Sequence, residues 1–176
     1  MTEVRMVRWS TADLALLQQL NSPEVRAHTG GPETDEQVLA RHERYVRGAG
    51  PRSGTMFTVR LPDGTKVGSV GFWERDWRGE PVYEMGWAIL PAYQGRGLAT
   101  AAVRAVTAEA AARGDRRFAH AYPSVDNPPS NAVCRKAGFT LLGETEFEYP
   151  PGHLMRSNDW RIELTGSRRD GTAATP

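Results

Sequence analysis

Tyr83-Glu84-Met85-Gly86-Trp87-Ala88-Ile89-Leu90-Pro91-Ala92-Tyr93-Gln94-Gly95-Arg96-Gly97-Leu98-Ala99-Thr100 is the stretch on which the reading of this chain turns. Val82 to Leu90 is an apolar-rich run of strand length, and Pro91, which has no amide proton to give a ladder, stops it. After Gly97, Leu98, Ala102, Val106 and Ala110 recur every four residues, joined by Ala101 and Ala105, which predicts a helix with one buried face. The small side chains let that helix lie close to a sheet, and Gly114 ends it. Between strand and helix, Gly95 and Gly97 let backbone amides converge and a bulky anion come close. The helix start adds free N–H groups and the positive end of its dipole. Such a turn is a phosphate-binding device. It is not a Walker loop, since no Gly-Lys-Ser/Thr follows, and the Gly-x-Gly-x-x-Gly spacing of a dinucleotide site is absent. A glycine pair before a helix also forms in turns that merely pack strand on helix, so alone it names no ligand.

Working outward, Val4 to Trp9 alternates and predicts a first strand, and Ser10 or Thr11 can cap a helix carrying Leu14, Leu17 and Leu20. Thr34 and Gln37 form a capping box for a second helix through Tyr45, and Gly48 to Gly54 predicts a loop. Met56 to Leu61 and Lys66 to Glu74 predict a hairpin around Pro62-Asp63-Gly64-Thr65, followed by a polar loop from Arg75 to Glu80. Arg117 to Tyr122 predicts a strand. Asn127 caps a short helix with Pro128 in its first turn and Gly138 at its end. Phe139 to Leu142 and Trp160 to Leu164 predict the last strands. The order β-α-α-β-β-β-α-β-α-β-β is that of an α+β domain with a mixed sheet, in which the crossover helix implies local parallel pairing.

The chain has 176 residues, enough for a single domain, here residues 1–165. From Gly166 onward almost nothing can be buried, and residues 166–176 are expected to be a disordered tail. The formal charge of +1 offers no excess of Lys and Arg for nucleic acid. Cys134 is the sole cysteine, so neither an internal disulfide framework nor a zinc cluster can be built, and no metal is expected. No run approaches a membrane span, and Met1 to Ser10 lacks the apolar core of a signal peptide. The expectation is a cytoplasmic protein that binds neither nucleic acid nor membrane.

Three segments together resemble the GCN5-related N-acetyltransferase superfamily. Gln94 to Ala99 matches its Gln/Arg-x-x-Gly-x-Gly/Ala motif, and Tyr83 to Pro91 looks like its fourth strand. Asn127-Pro128-Pro129-Ser130-Asn131-Ala132-Val133-Cys134-Arg135-Lys136-Ala137-Gly138-Phe139 resembles the Asn-x-x-Ser…Lys-x-Gly-Phe segment of the branch of ribosomal-protein-alanine acetyltransferases. The resemblance covers about Val4 to Leu164. It implies a central mixed sheet whose fourth and fifth strands splay apart, with acetyl-CoA bound in the splay. Main-chain amides from Gln94, Gly95, Arg96, Gly97, Leu98, Ala99 and Thr100 would hold the pyrophosphate. Backbone groups near Trp87, Ala88 and Ile89 would pair with the pantetheine arm as a partial extra strand, and an amide near Ala88 would polarise the thioester carbonyl. Asn127 would bond the pantetheine or simply cap its helix, with Ser130 as the nearby hydroxyl.

Attack on a thioester needs an uncharged amine, so an ammonium must lose a proton. Glu84, four residues before Ala88, matches the general-base glutamate of several branches; otherwise it is a solvent-facing residue or an ion-pair partner. Glu74, Glu80, His28 and His120 are weaker candidates. Cys134 stands where many members carry the tyrosine that protonates the departing thiolate; it is either that donor or a packing residue. Trp73 and Trp77, with the segment Val25 to Gly31, are expected to line an acceptor groove. The resemblance thus implies an acetyl-CoA-dependent N-acetyltransferase acting on a primary amine of a small molecule or on a protein N-terminus, possible as a homodimer. The alternative is a non-catalytic acyl-CoA-binding or sensing domain.

Overall fold

The computed structural model describes residues 2–48, 54–148 and 151–165. Its elements are β1 (Arg5–Arg8), α1 (Leu14–Leu20), α2 (Asp35–Arg47), β2 (Thr55–Arg60), β3 (Lys66–Trp77), β4 (Glu80–Ile89), α3 (Leu98–Arg113), β5 (Phe118–Ala121), α4 (Pro128–Ala137), β6 (Thr140–Glu148) and β7 (Leu154–Glu163). The seven strands form one mixed sheet in the order β1-β2-β3-β4-β5-β7-β6. The mixed α+β architecture is the one expected, and the parallel pair is β4 with β5, joined by the α3 crossover. The segment from Gly166 lies outside the described residues, as does most of the Gly48 to Gly54 loop.

The capping signals act as their chemistry dictates. The Ser10 hydroxyl accepts from the Ala12 amide, and Asp13 answers by accepting from the Ser10 amide, which starts a single 3-10 turn before α1. Asp13 is fully buried, and its carboxylate is balanced by Lys66 at 2.6 Å. Thr34 and Gln37 form both halves of the box at the start of α2.

The sheet separates two apolar layers. On one side Phe72, Tyr83, Met85 and Ile89 pack under Leu98, Ala102, Val103, Val106 and Ala110 of α3, with Cys134 of α4 and Trp160 of β7 in the same cluster. On the other, Trp9 and Met56 meet Leu16, Leu17, Leu20 and Val38 of α1 and α2. Each large side chain withdrawn from water contributes about 1.5–3 kcal/mol. The alternation along β4 follows from this: Tyr83, Met85 and Ile89 face α3, while Glu84 and Ala88 face the side of α1 and α2.

Two sequence expectations are corrected. The polar stretch from Arg75 to Glu80 is not a loop. Strand β3 runs to Trp77 and β4 starts at Glu80, joined by Arg78 and Gly79, both at positive φ (54° and 81°). A two-residue turn with this twist suits an antiparallel hairpin. Likewise β6 and β7 are far longer than predicted and pair from Thr140↔Arg161 to Glu148↔Leu154. Most described side chains of β6 are exposed, so no buried face imposes an alternation on its sequence.

Gly68 shows how tightly β3 lies against β4. A Cβ there would sit 2.2 Å from the Ala88 carbonyl oxygen and 2.8 Å from Ile89 Cδ1. The backbone of β4 would have to move. Gly68→Ala is therefore expected to cost roughly 1–3 kcal/mol, read as a lowered urea midpoint with an unchanged slope; a midpoint within error of the wild type would refute it.

Candidate active site

Strand β4 pairs along its whole length with β3, from Trp77↔Glu80 to Gly68↔Ile89. With β5 it shares only Tyr83↔Ala119 and Glu84↔His120. Beyond Glu84 the two strands splay apart, and Met85 to Ile89 keep a backbone edge turned away from β3 and unpaired to β5. Trp87, Ala88 and Ile89 lie on that edge, as expected. Trp87 and Ile89 pack in the α3 layer and Ala88 in the opposite one, so the edge itself presents main-chain groups.

A single 3-10 turn, Pro91–Tyr93, carries the chain from β4 to α3. The Gln94 side-chain amide donates to the Ile89 carbonyl at 2.9 Å, tying the turn to the end of the strand. Gly95 and Gly97 both have left-handed φ, 74° and 76°, which explains glycine at these positions. Gly97 is the N-cap of α3, and no side chain caps that first turn. Its amides are thus left for another acceptor. Arg96 donates to the Ala92 carbonyl and lies 5.3 Å over the Tyr93 ring. Leu98 and Thr100 are buried, so their contribution to a ligand is their main chain.

Asn127 and Ser130 satisfy each other. Asn127 Oδ1 accepts from the Ser130 amide at 3.3 Å, and Nδ2 donates to Ser130 Oγ at 3.1 Å. The geometry is that of the helix cap. Cys134 is fully buried within the α3 layer, and burial pushes its thiol up to about 12. Its environment is that of a packing residue, because a group sealed among apolar side chains has no route to a departing thiolate.

On the face opposite α3, Glu84 meets Arg75 at 2.5 Å. The Arg75 guanidinium stacks over Trp77 at 5.0 Å and over Tyr122 at 4.8 Å. Asp159 of β7 takes the Trp77 indole N–H at 3.0 Å on one oxygen and meets His120 Nδ1 at 2.6 Å with the other. The rings of His120 and Tyr122 stack, 5.7 Å apart and 16° from parallel. Burial, reinforced by the Asp159 charge, raises the Tyr122 phenol, which therefore stays protonated. Trp73 lies against Gly86, where a Cβ would be 2.6 Å from its ring. Glu84, Trp73 and Trp77 thus gather beside the splay. Glu74 pairs instead with Arg116, while Glu80 and His28 are exposed. Arg75, Tyr122 and Asp159 were not singled out from the sequence. The period of two in Trp73, Arg75 and Trp77 was the available signal for the first. Nothing local marked Asp159, which lies outside the stretch read as the last strand.

A short strand ladder opening into a wedge, with an uncapped helix start at its mouth and a carboxylate at its base, defines an acyl-CoA-binding fold of the acetyltransferase type. Residues 3–140 match the Acetyltransferase (GNAT) domain, and the chain belongs to that family. Among solved structures it is similar to a GNAT-family acetyltransferase from Bacillus anthracis (22% identity, 93% of this chain and 97% of that one, TM-score 0.75). It is similar to a ribosomal L7/L12 alpha-N-protein acetyltransferase in complex with coenzyme A (20%, 94% and 97%, TM-score 0.73). A third is the spermidine N-acetyltransferase from Vibrio cholerae in complex with coenzyme A and spermine (17%, 93% and 96%, TM-score 0.75). No curated protein matches the sequence significantly.

Proposed function

We propose that the chain transfers an acetyl group directly from acetyl-CoA to a primary amine of a small molecule or to a protein N-terminus. The observation that carries this reading is the β4–β5 ladder ending at Glu84↔His120, directly beside a carboxylate. Backbone groups of Trp87, Ala88 and Ile89 receive the pantetheine arm, and the amides from Gln94 to Thr100 hold the pyrophosphate. Glu84 takes the proton of the acceptor ammonium, and Trp73, Trp77 and Tyr122 form the wall beside it. The similar structures include one that acts on a ribosomal protein and one on spermidine, so the fold admits both kinds of acceptor. Among the described residues no helix is long and apolar enough to cross a membrane. Leu141 and Leu142, 48% and 47% exposed at the start of the edge strand, support a homodimer, which sedimentation would read.

The test is thiol release from acetyl-CoA against a panel of polyamines, aminoglycosides, amino acids and N-terminal peptides. Transfer to one of them is expected. Coenzyme A binding without transfer to any would favour the sensing alternative, for which the buried Cys134 is the supporting observation. A companion prediction concerns the turn. Gly97→Val forces a β-branched residue to a left-handed φ at the helix start and is expected to weaken coenzyme A at least ~tenfold in a calorimetric titration. Gly114→Ala imposes a similar conformational demand at the other end of α3 (φ 69°) and should leave affinity unchanged; equal losses in both would count against the turn as the phosphate site.

A further inference from the structure

Resting on the acetyltransferase reading, we infer that His120, oriented by Asp159, is the proton-accepting group behind Glu84. The observations are geometric. Asp159 is 4% exposed, and a carboxylate so buried must be paired. One of its oxygens takes the Trp77 indole, and the other lies 2.6 Å from His120 Nδ1. That contact places the neutral ring's proton on Nδ1 and leaves the lone pair on Nε2. The strand order is β4-β5-β7, so His120 stands between Asp159 on one neighbouring strand and its register partner Glu84 on the other. A carboxylate aimed at one imidazole nitrogen, with a reacting group on the other side, is the arrangement that makes a histidine a base in hydrolytic triads.

Charge gives the reason a second group is needed. The Glu84 carboxylate is already engaged by Arg75 at 2.5 Å, so a proton it accepts must pass on for that ion pair to re-form. The His120 imidazole, fixed by Asp159 at 2.6 Å on the neighbouring strand, is the group placed to take it on. The charged and titratable groups around His120 are its register partners Glu84 on β4 and Arg161 on β7, Tyr122 on its own strand, Asp159 on β7, and Arg75 of β3, which reaches Glu84 and Tyr122. Arg161 turns its guanidinium over Phe118 at 4.2 Å.

The step balances as follows. An N–H bond of the acceptor ammonium breaks, and its proton moves to Glu84 and on, through water, to His120 Nε2. The freed nitrogen lone pair forms the C–N bond at the thioester carbonyl. On collapse the C–S bond breaks and its electron pair leaves on sulfur. The second nitrogen proton reaches that thiolate through water, and the imidazolium returns its proton to solvent. His120 is thus a positioning and relay residue, and Glu84 the one that touches the acceptor.

The experiment compares His120→Gln and Asp159→Asn with the wild type in the full chain, and adds ring-nitrogen NMR of wild-type protein labelled at histidine. In both variants kcat is expected to fall about 10²-fold at neutral pH with KM for acetyl-CoA unchanged. The rate should then climb in proportion to hydroxide through the range where the wild type is flat, which a merely structural loss would not produce. The wild-type spectrum should show a His120 ring proton on Nδ1. A wild-type rate in His120→Gln, with Glu84→Gln impaired, overturns this inference and leaves the acetyltransferase reading standing. Absence of transfer by the wild type overturns that reading instead. The tautomer then decides the present one, and it also decides should a variant not fold: a proton on Nε2 overturns it.

Discussion

Glu84→Gln is expected to lower kcat/KM for the acceptor amine by ~10²–10³-fold while leaving the KM for acetyl-CoA unchanged. Glutamine keeps the shape of the side chain and an oxygen for Arg75, so the ion pair at 2.5 Å becomes a hydrogen bond from the still-charged guanidinium and the wall of the site stays in place. What is lost is the proposed acceptor for the ammonium proton. The proposed donor site consists of backbone groups beyond the base of the splay and of the Gly95–Gly97 turn, neither of which contains the Glu84 side chain. Hence the loss falls on the chemical step. Steady-state rates with each substrate varied in turn would show it, and an unchanged rate across pH would remove Glu84 from the mechanism.

The largest expected loss of stability lies elsewhere, at Asn131. This buried amide donates to the carbonyls of Ser124 and Asn127 and accepts from Asn158 Nδ2 and Trp160 Nε1, all within 2.8–2.9 Å. It fastens α4 to the β5–α4 connection and to β7 at once. Asn131→Ala strands several polar groups at a site only 8% exposed, at roughly 1–3 kcal/mol for each left unsatisfied. A net loss of about 3 kcal/mol corresponds to a melting temperature lower by about 6–12 °C. Calorimetry would read it; a loss under about 1 kcal/mol would mean that water replaces the amide.

These two residues differ in how visible they were. Glu84 stands four residues before Ala88 on the strand that resembles the family's fourth, so the resemblance marked it as a candidate base. Asn131 lay inside a recognised segment, but its four partners come from two stretches of chain, one of them about 30 residues away, and no pattern in sequence announces such convergence. The same holds for Asp159, which reaches the site only because β7 inserts between β5 and β6. Cys134 illustrates the reverse. Its position in the motif left it either a proton donor or a packing residue, and its burial in the α3 layer is what favours packing.

The family was legible as the resemblance of three motifs. By itself the sequence also determined the order of elements, the side-chain caps of the first 3-10 turn, α2 and α4, and the glycine turn before α3. Each of these is written in local chemistry: side-chain caps, hydrophobic period, and residues without a Cβ where φ is positive. Tertiary structure alone decided that Arg75 closes on Glu84, that Trp77 and His120 share one buried carboxylate, and that Asn127 and Ser130 spend their polar atoms on each other. Those outcomes depend on strand order and register. Pairing brings together residues dozens of positions apart, and the cost of burying a charge then selects its partner.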